Sequence, residues 1–417
     1  MEKQERKVRA EVKLPLILIH TPFGLDFFDR VAKMPGAKAW AKVNTYFMPL
    51  ITVLAIFLII GSLAVLFANS EARAGIRGVG PQANLLIPGL NPYLPITYGW
   101  AALVITIIIH EAGHGIVARV YNIRVDSTGL VLLLGIPIGA FVNIERDELA
   151  RATLKQKSAV LTAGPLNNMI LAAACLVALF LVMSTLTPLP PAPGEPRFGI
   201  AVVSVSPGSL AQSIGLPQGA VIQEVAGQQV KQLEDLGNVL RANLGKTIDI
   251  TWVERTGVNN NNAAAPTTVT KSVTLPDSVE PGKGILGVGV TILTPDAGAV
   301  LERYKGAFSS NPLAILLPPT IQEGIVPYSD LMTPKYESSI GPVWSPLANM
   351  LFWLWFVNFN VGIFNALPIG PLDGGQLYSS LIEKKVKSQV LARNAAMMLT
   401  IVMVAIVAAS ILLPYVI

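Results

Sequence analysis

Pro95-Ile-Thr-Tyr-Gly-Trp-Ala-Ala-Leu-Val-Ile-Thr-Ile-Ile-Ile-His110-Glu111-Ala112-Gly113-His114-Gly-Ile-Val-Ala-Arg-Val120 is the stretch around which the rest of the chain is read. On a helix, positions i and i+4 share one face, so His110 and His114 can offer imidazole nitrogens to one ion while Glu111 sits beside it. That arrangement suits metal-assisted hydrolysis. From Pro95 to Ala118 the sole formally charged residue is Glu111, and the run is long enough to cross a bilayer. An ionisable group at such depth is a functional candidate by default. A single histidine on an apolar helix is usually a packed structural residue, but this chain has three histidines and two of them fill one metal-binding pattern.

Composition sets the class. Of 417 residues, 52% are hydrophobic and 14% charged, whereas a soluble domain carries about a quarter charged. The chain therefore reads as an α-helical polytopic membrane protein with about five to six transmembrane helices, placed in the cell membrane with the lipid bilayer as its surroundings. Its net charge of +5 comes from Lys and Arg clustered beside apolar runs, the signature of cytoplasmic loops, and no nucleic-acid partner is expected. The single Cys175 lies inside an apolar run and cannot form an intrachain disulfide.

In chain order, residues 1–94 read as a cytoplasmic N-terminal segment and the first transmembrane helix, with Leu14–Ile19 too short to span and no cleavable signal peptide visible. Val43–Asn69 is the first span. Arg30, Lys33, Lys38 and Lys42 precede it closely, against Arg73 and Arg77 after it, so the N-terminus is expected in the cytoplasm. The second span, 95–120, returns there, and the connection 121–157 agrees by carrying Arg124, Arg146, Arg151, Lys155 and Lys157. Within that connection, Thr128–Val142 is apolar but broken by Gly129, Gly135, Pro137 and Gly139. It is either a re-entrant, β-like hairpin near the metal or an ordinary interfacial loop. Ser158–Thr187 is the third span, and residues 95–187 form the first part of a catalytic membrane core.

After the Pro-rich linker 188–196, charge and β-branched alternation return over 197–291, which marks a soluble domain. Strands are expected at Ile248–Arg255 and Thr267–Leu275, joined by a flexible loop containing Asn259–Asn262. Because the third span leads outward, this domain is expected outside the cytoplasm. Residues 306–342 read as an interfacial or partly inserted segment, since Pro312, Pro318 and Pro319 cut the apolar Leu313–Leu317 run short. Residues 343–417 complete the core with spans Val343–Leu367 and Asn394–Ile417, separated by a basic amphipathic stretch.

A catalytic zinc takes three protein ligands and keeps a fourth position for water, so two histidines are one ligand short. Asp373 is the leading candidate, because an aspartate beside the bilayer core needs a partner, although Leu372-Asp373-Gly374-Gly375 also reads as a plain turn. His20 and Cys175 are weaker candidates. Asn167 and Asn168 place two consecutive amides in an apolar helix, where they serve either as hydrogen-bond glue between helices or as groups that hold substrate or an oxyanion.

His110-Glu-x-x-His114 in one span, Gly164-Pro-x-x-Asn168 in the next, and Asn365-x-x-Pro368 leading to Leu372-Asp373-Gly374 in a later one together resemble the site-2 protease family of intramembrane zinc metalloproteases. The resemblance covers residues 95–187 and 343–390. It implies one zinc ion per chain held by His110, His114 and Asp373, with Glu111 as the general base and transmembrane proteins as substrates. It also implies that Asn168 and Asn365 position substrate or stabilise developing charge, and that the catalytic residues lie toward the cytoplasmic side. Between the two parts of the core, Val205-Ser206-Pro207-Gly208-Ser209-Leu210-Ala211, Gly215-Leu216, Gly219-Ala220-Val221-Ile222 and Gly227-Gln-Gln-Val230 are similar to a PDZ domain, an α+β fold. That resemblance implies a peptide or chain-end ligand, and it departs from the usual Gly-Asp and Asn-Gly pairs at Gly219-Ala220 and Ala226-Gly227. The competing function is a zinc-binding receptor or scaffold whose PDZ-like domain binds partners without proteolysis. A structural zinc is normally closed by four protein ligands, and three candidates beside a carboxylate favour catalysis.

Overall fold

The computed structural model describes residues 8–69, 73, 76–77, 80–134, 136–190, 199–254, 267–278, 284–292, 297–310, 315, 318–320 and 325–416. The chain divides into two compact units, residues 1–177 with 350–417, and residues 178–349. Among the described residues, five helices are long and apolar enough to cross a membrane.

The first unit opens with strands β1 (Arg9–Lys13) and β2 (Leu16–Thr21), a short helix α1 (Leu25–Ala32) and the first candidate span, α2 (Ala37–Ala68). Helix α3 (Ile96–Val120) follows, then β3 (Val125–Leu133), β4 (Ile136–Ile144), the short α4 (Arg146–Arg151) and α5 (Leu154–Ser184). The four strands form one antiparallel sheet in the order β1-β2-β3-β4, with Ile19 opposite Leu130 and Gly129 opposite Phe141. The glycine at 129 is required by crowding, because a Cβ there would overlap both the Ile19 carbonyl oxygen and the Phe141 ring. Thr128–Val142 is thus a β-hairpin. The Leu14–Ile19 run, judged only as too short to span, supplies most of β2 and extends that hairpin into a sheet.

In the second unit, β5 (Leu186–Pro188) is followed by β6 (Ile200–Val205), α6 (Leu210–Ser213), β7 (Val221–Val225), β8 (Gln228–Gln229) and α7 (Leu233–Ala242). Then come β9 (Thr247–Glu254), β10 (Thr267–Thr274), β11 (Val288–Ile292), α8 (Ala297–Ser310) and β12 (Tyr336–Ser338). Strands run in the order β10-β9-β7-β6-β11, with β8 paired to β7. Alternation drives the core: Ile248, Ile250 and Trp252 point inward from β9 and meet Ile200, Ile222, Val239 and Leu240. The β9–β10 pair matches the expected strands, with Trp252 opposite Val269. Asn259–Asn262 lies outside the described residues. The β7–β8 turn holds Ala226 at φ 51° and Gly227 at φ 76°, the two positive values that a type I′ turn demands.

Of the 306–342 stretch, expected at the membrane interface, the described residues bury Val326, Tyr328, Leu331, Met332 and Tyr336. The Tyr304 and Tyr328 hydroxyls lie 2.7 Å apart, and burial raises the pKa of both. Strand β12 pairs with β5. The Leu313–Leu317 run, Ile315 excepted, lies outside the described residues.

The chain closes with α9 (Trp344–Asn365), α10 (Asp373–Lys385) and α11 (Gln389–Val416). Helix α9 stops ahead of Pro368 and Pro371, which lack the N–H a helix needs and stiffen the backbone, and α10 restarts at Asp373. Met48, Ile51 and Ala55 of α2 share a core with Leu161 and Leu166 of α5, Ile363 and Leu367 beside the break, Leu377 and Met403. Small residues let these helices approach closely: a Cβ at Gly362 would lie 3.1 Å from the Pro165 carbonyl oxygen.

Candidate active site

Helix α3 is apolar on all sides, and its interior residues His110 and His114 each keep 7% of their surface. His110 lies ten residues short of the end of the helix at Val120, about 15 Å along the axis. One helical turn brings the two rings edge to face with centroids 4.8 Å apart. Their Nε2 atoms converge on one carboxylate oxygen, Asp373 Oδ2, at 3.1 Å from His110 and 3.3 Å from His114. The Asp373 side chain retains 12% exposure.

The donor set suits zinc. Bonds of about 2.0–2.1 Å in a tetrahedron put neighbouring ligand atoms about 3.3 Å apart, which is the spacing from each histidine to Asp373. Two neutral imidazoles and one carboxylate are a common catalytic zinc set. Among the described residues this is the one such cluster, its ligand atoms all within 4.8 Å of one another. Gly164 leaves the space beside it open, for a Cβ at that position would sit 2.7 Å from His110 Nε2 and overlap His114 Nε2.

Each of the three side chains is held from behind. His114 Nδ1 lies 2.7 Å from the Val160 carbonyl oxygen on α5, so Nδ1–H donates to it and Nε2 keeps its lone pair, the one a metal would take. The fully buried Asn168 carboxamide lies 2.9 Å from His110 Nδ1. Asp373 depends on the broken backbone before it. The Thr52 hydroxyl of α2, shared with its own helix at Met48, donates to the Ala366 carbonyl at 2.7 Å, and Gly370 N–H donates to Thr400 Oγ1 of α11 at 3.0 Å. Gly374 and Gly375 allow the tight restart, since a Cβ on either would overlap carbonyl oxygens of residues 366–369.

Glu111 is half-buried and lies off the ligand cluster. Its Oε2 accepts a hydrogen bond of 2.8 Å from the Val142 backbone N–H on β4. Strand β4 is an edge of the sheet, so Val142 spends its amide on the carboxylate and not on β3. The structure thus gathers His110, Glu111, His114, Asn168 and Asp373 in one place. Asn365 is half-buried, and its amide donates to the Val361 carbonyl of its own helix at 3.0 Å. His20 belongs elsewhere, hydrogen-bonded to Ser127 at 3.0 Å and packed edge-on against Phe141, and Cys175 is buried outside the cluster. Sequence reasoning missed Thr52, Thr400 and the Val142 amide. Nothing about an isolated threonine in an apolar helix distinguishes it, and a backbone amide has no sequence signal at all.

Comparison with known proteins agrees with this geometry. Over 368 residues the chain is 25% identical to an uncharacterized protein of Methanocaldococcus jannaschii, an alignment covering 88% of this chain and 77% of that one. It is 22% identical over 327 residues to the zinc metalloprotease RasP of Oceanobacillus iheyensis, covering 72% of this chain and 74% of the other. The model of Peptidase family M50 matches residues 98–410, a span that contains every residue of the cluster, and the chain belongs to that family.

Proposed function

We propose that the protein hydrolyses peptide bonds within or near transmembrane segments of other membrane proteins, with His110, His114 and Asp373 holding one zinc ion and Glu111 as general base. The observation that carries this reading is the Glu111–Val142 hydrogen bond beside the three ligand atoms, because it ties the base to the edge strand of a sheet. A zinc ion in this site would lower the pKa of water and polarise a scissile carbonyl. Glu111, one residue from the first ligand and free of the cluster, takes the proton from the attacking water and delivers it to the leaving amine.

A transmembrane helix hides its amides in the i to i−4 ladder, so a substrate must unwind before attack. Strand β4 offers it a partner. The Val142 amide faces outward and is taken by Glu111, and with a side-to-side period of two the backbone of Ala140 and Ile144 also faces outward and can pair with an added strand. An extended segment added there would run past Glu111 as an extra strand. Helix-weakening residues in the substrate would favour that exchange.

Lys and Arg placement puts the N-terminus and residues 376–393 in the cytoplasm and the 197–291 domain outside. The sheet of that domain, its helices α6 and α7 and its single core support a PDZ-like fold, one that takes chain ends by strand addition. Its place in the chain, between the two halves of the metal site, suits a part that sorts substrates.

The test is Glu111→Gln, with zinc content and cleavage of a transmembrane substrate measured together. The variant keeps its zinc and loses on the order of a hundredfold or more in rate. Wild-type cleavage by the zinc-loaded variant would remove Glu111 as the base.

A further inference from the structure

We infer that Asn168 is a positioning residue for the metal: its carboxamide oxygen accepts the Nδ1 proton of His110 and fixes that ring's tautomer and aim, and it does not touch substrate. The inference rests on the zinc reading above and deepens it.

Three observations lead there. Asn168 has no exposed surface, so no substrate reaches its side chain as the protein stands. Its amide group meets His110 Nδ1 at 2.9 Å, on the ring edge opposite the nitrogen that faces Asp373. Its amide nitrogen is the atom turned to the ring, while its oxygen is buried with no donor in reach.

Hydrogen-bond chemistry then decides the direction. When Nε2 of a neutral imidazole gives its lone pair to a metal, the proton sits on Nδ1, which can only donate. An NH2 facing that N–H sets donor against donor, whereas a half-turn of the carboxamide satisfies the ring with oxygen, and the two ends are interchangeable in shape. Metal-bound histidines regularly give the second N–H to such an acceptor, and removing it weakens metal binding about 10–100-fold. The two histidines are then held alike, His114 by the Val160 carbonyl and His110 by Asn168, both acceptors borne on α5. Helix α5 would set the aim of both rings through one rigid body. Asn365, by contrast, turns its amide nitrogen to the Val361 carbonyl of its own helix.

Two variants of the full-length protein separate an acceptor for His110 from a donor for substrate. Asn168→Leu keeps approximate size and loses the acceptor; Asn168→Asp keeps an oxygen there and loses the NH2. Zinc affinity is measured by competition with a chelator, the visible absorption bands of the Co2+-loaded protein report ligand geometry, and cleavage is assayed at saturating zinc. In Asn168→Leu we expect zinc affinity to fall about 10–100-fold and the Co2+ bands to shift. In Asn168→Asp we expect zinc affinity at or above the wild-type value and cleavage at least about tenfold faster than Asn168→Leu, a rescue that only an acceptor role produces. Zinc affinity and Co2+ bands unchanged in Asn168→Leu would overturn the assignment. So would an Asn168→Asp protein that holds zinc yet cleaves no better than Asn168→Leu, the pattern of a lost substrate donor. If Asn168→Leu is not recovered folded, Asn168→Asp decides alone: retained zinc with cleavage supports the assignment, and lost zinc or lost cleavage overturns it. Wild-type protein that binds no zinc would overturn the metal reading and this assignment together, an outcome distinct from the others.

Discussion

The two halves of the proposed metal site are built in opposite ways. His110 and His114 stand on an unbroken helix, where a single turn sets their separation and nothing remote is needed to bring them together. Asp373 stands at the restart of a broken helix, and its position depends on Thr52 from α2, Thr400 from α11 and two glycines that admit the tight backbone. Local periodicity sets the spacing of the two histidines and α5 holds their rings, whereas the very position of the aspartate comes from packing. The difference teaches where the site can be disturbed from a distance: substitutions far from the metal should act through Asp373.

The largest effect tests whether both halves are needed. Asp373→Ala and His114→Ala should each leave protein without bound zinc and without measurable cleavage, read by metal analysis of the purified protein. Undiminished zinc in Asp373→Ala would dissolve the comparison, because the histidines alone would then be the site.

Next comes a change on α5 that strikes the space between the halves. Gly164→Val pushes carbon against the two histidine Nε2 atoms, for a Cβ there would lie 2.7 Å from His110 Nε2. Displacing ligands by about 1 Å costs on the order of a hundredfold in rate. Normal zinc affinity in this variant would show that the histidine half tolerates crowding and is less rigid than a regular helix implies.

A smaller effect is expected at long range. Thr52→Val removes the donor for the Ala366 carbonyl without changing shape, and one buried carbonyl left unsatisfied costs about 1–3 kcal/mol. Zinc affinity should fall by about tenfold, with Thr52→Ser restoring most of it, as measured by chelator competition. Equal loss in a neutral substitution on the lipid-facing side of α3, such as Ile108→Ala, would show that the aspartate half has no special dependence on packing.

The smallest prediction is a control in the other unit. Ala226 occupies a left-handed position that favours Asn, so Ala226→Asn should stabilise the 197–291 domain by about 0.5–1 kcal/mol in thermal unfolding. Zinc affinity should not move, since the strain is local to one turn.

Much of this was legible in the residues. The five spans followed from apolar runs, and each lies within a few residues of its expected place because burial in lipid demands length and apolarity, both local properties. His110, Glu111 and His114 followed from helical spacing, and the strands around Trp252 from alternation. Asp373 was singled out by its depth and by its place in a motif, but a turn aspartate has the same local sequence, and its approach to His110 across 263 positions exists only once α3, α5 and α10 have packed. The same holds for Asn168, where spacing could not say whether an apolar helix turns its amide to a neighbour, a substrate or a ligand. Leu14–Ile19 could not declare itself a strand, since a short apolar run fits a strand or a buried turn of helix equally and its partner, β3, lies more than a hundred residues on. The sequence by itself determined the elements and the chemistry they carry, because propensity and periodicity act between near neighbours. Only the tertiary structure decided which side chains meet and which carbonyl or amide holds each of them, because those contacts depend on backbone groups that no residue type announces.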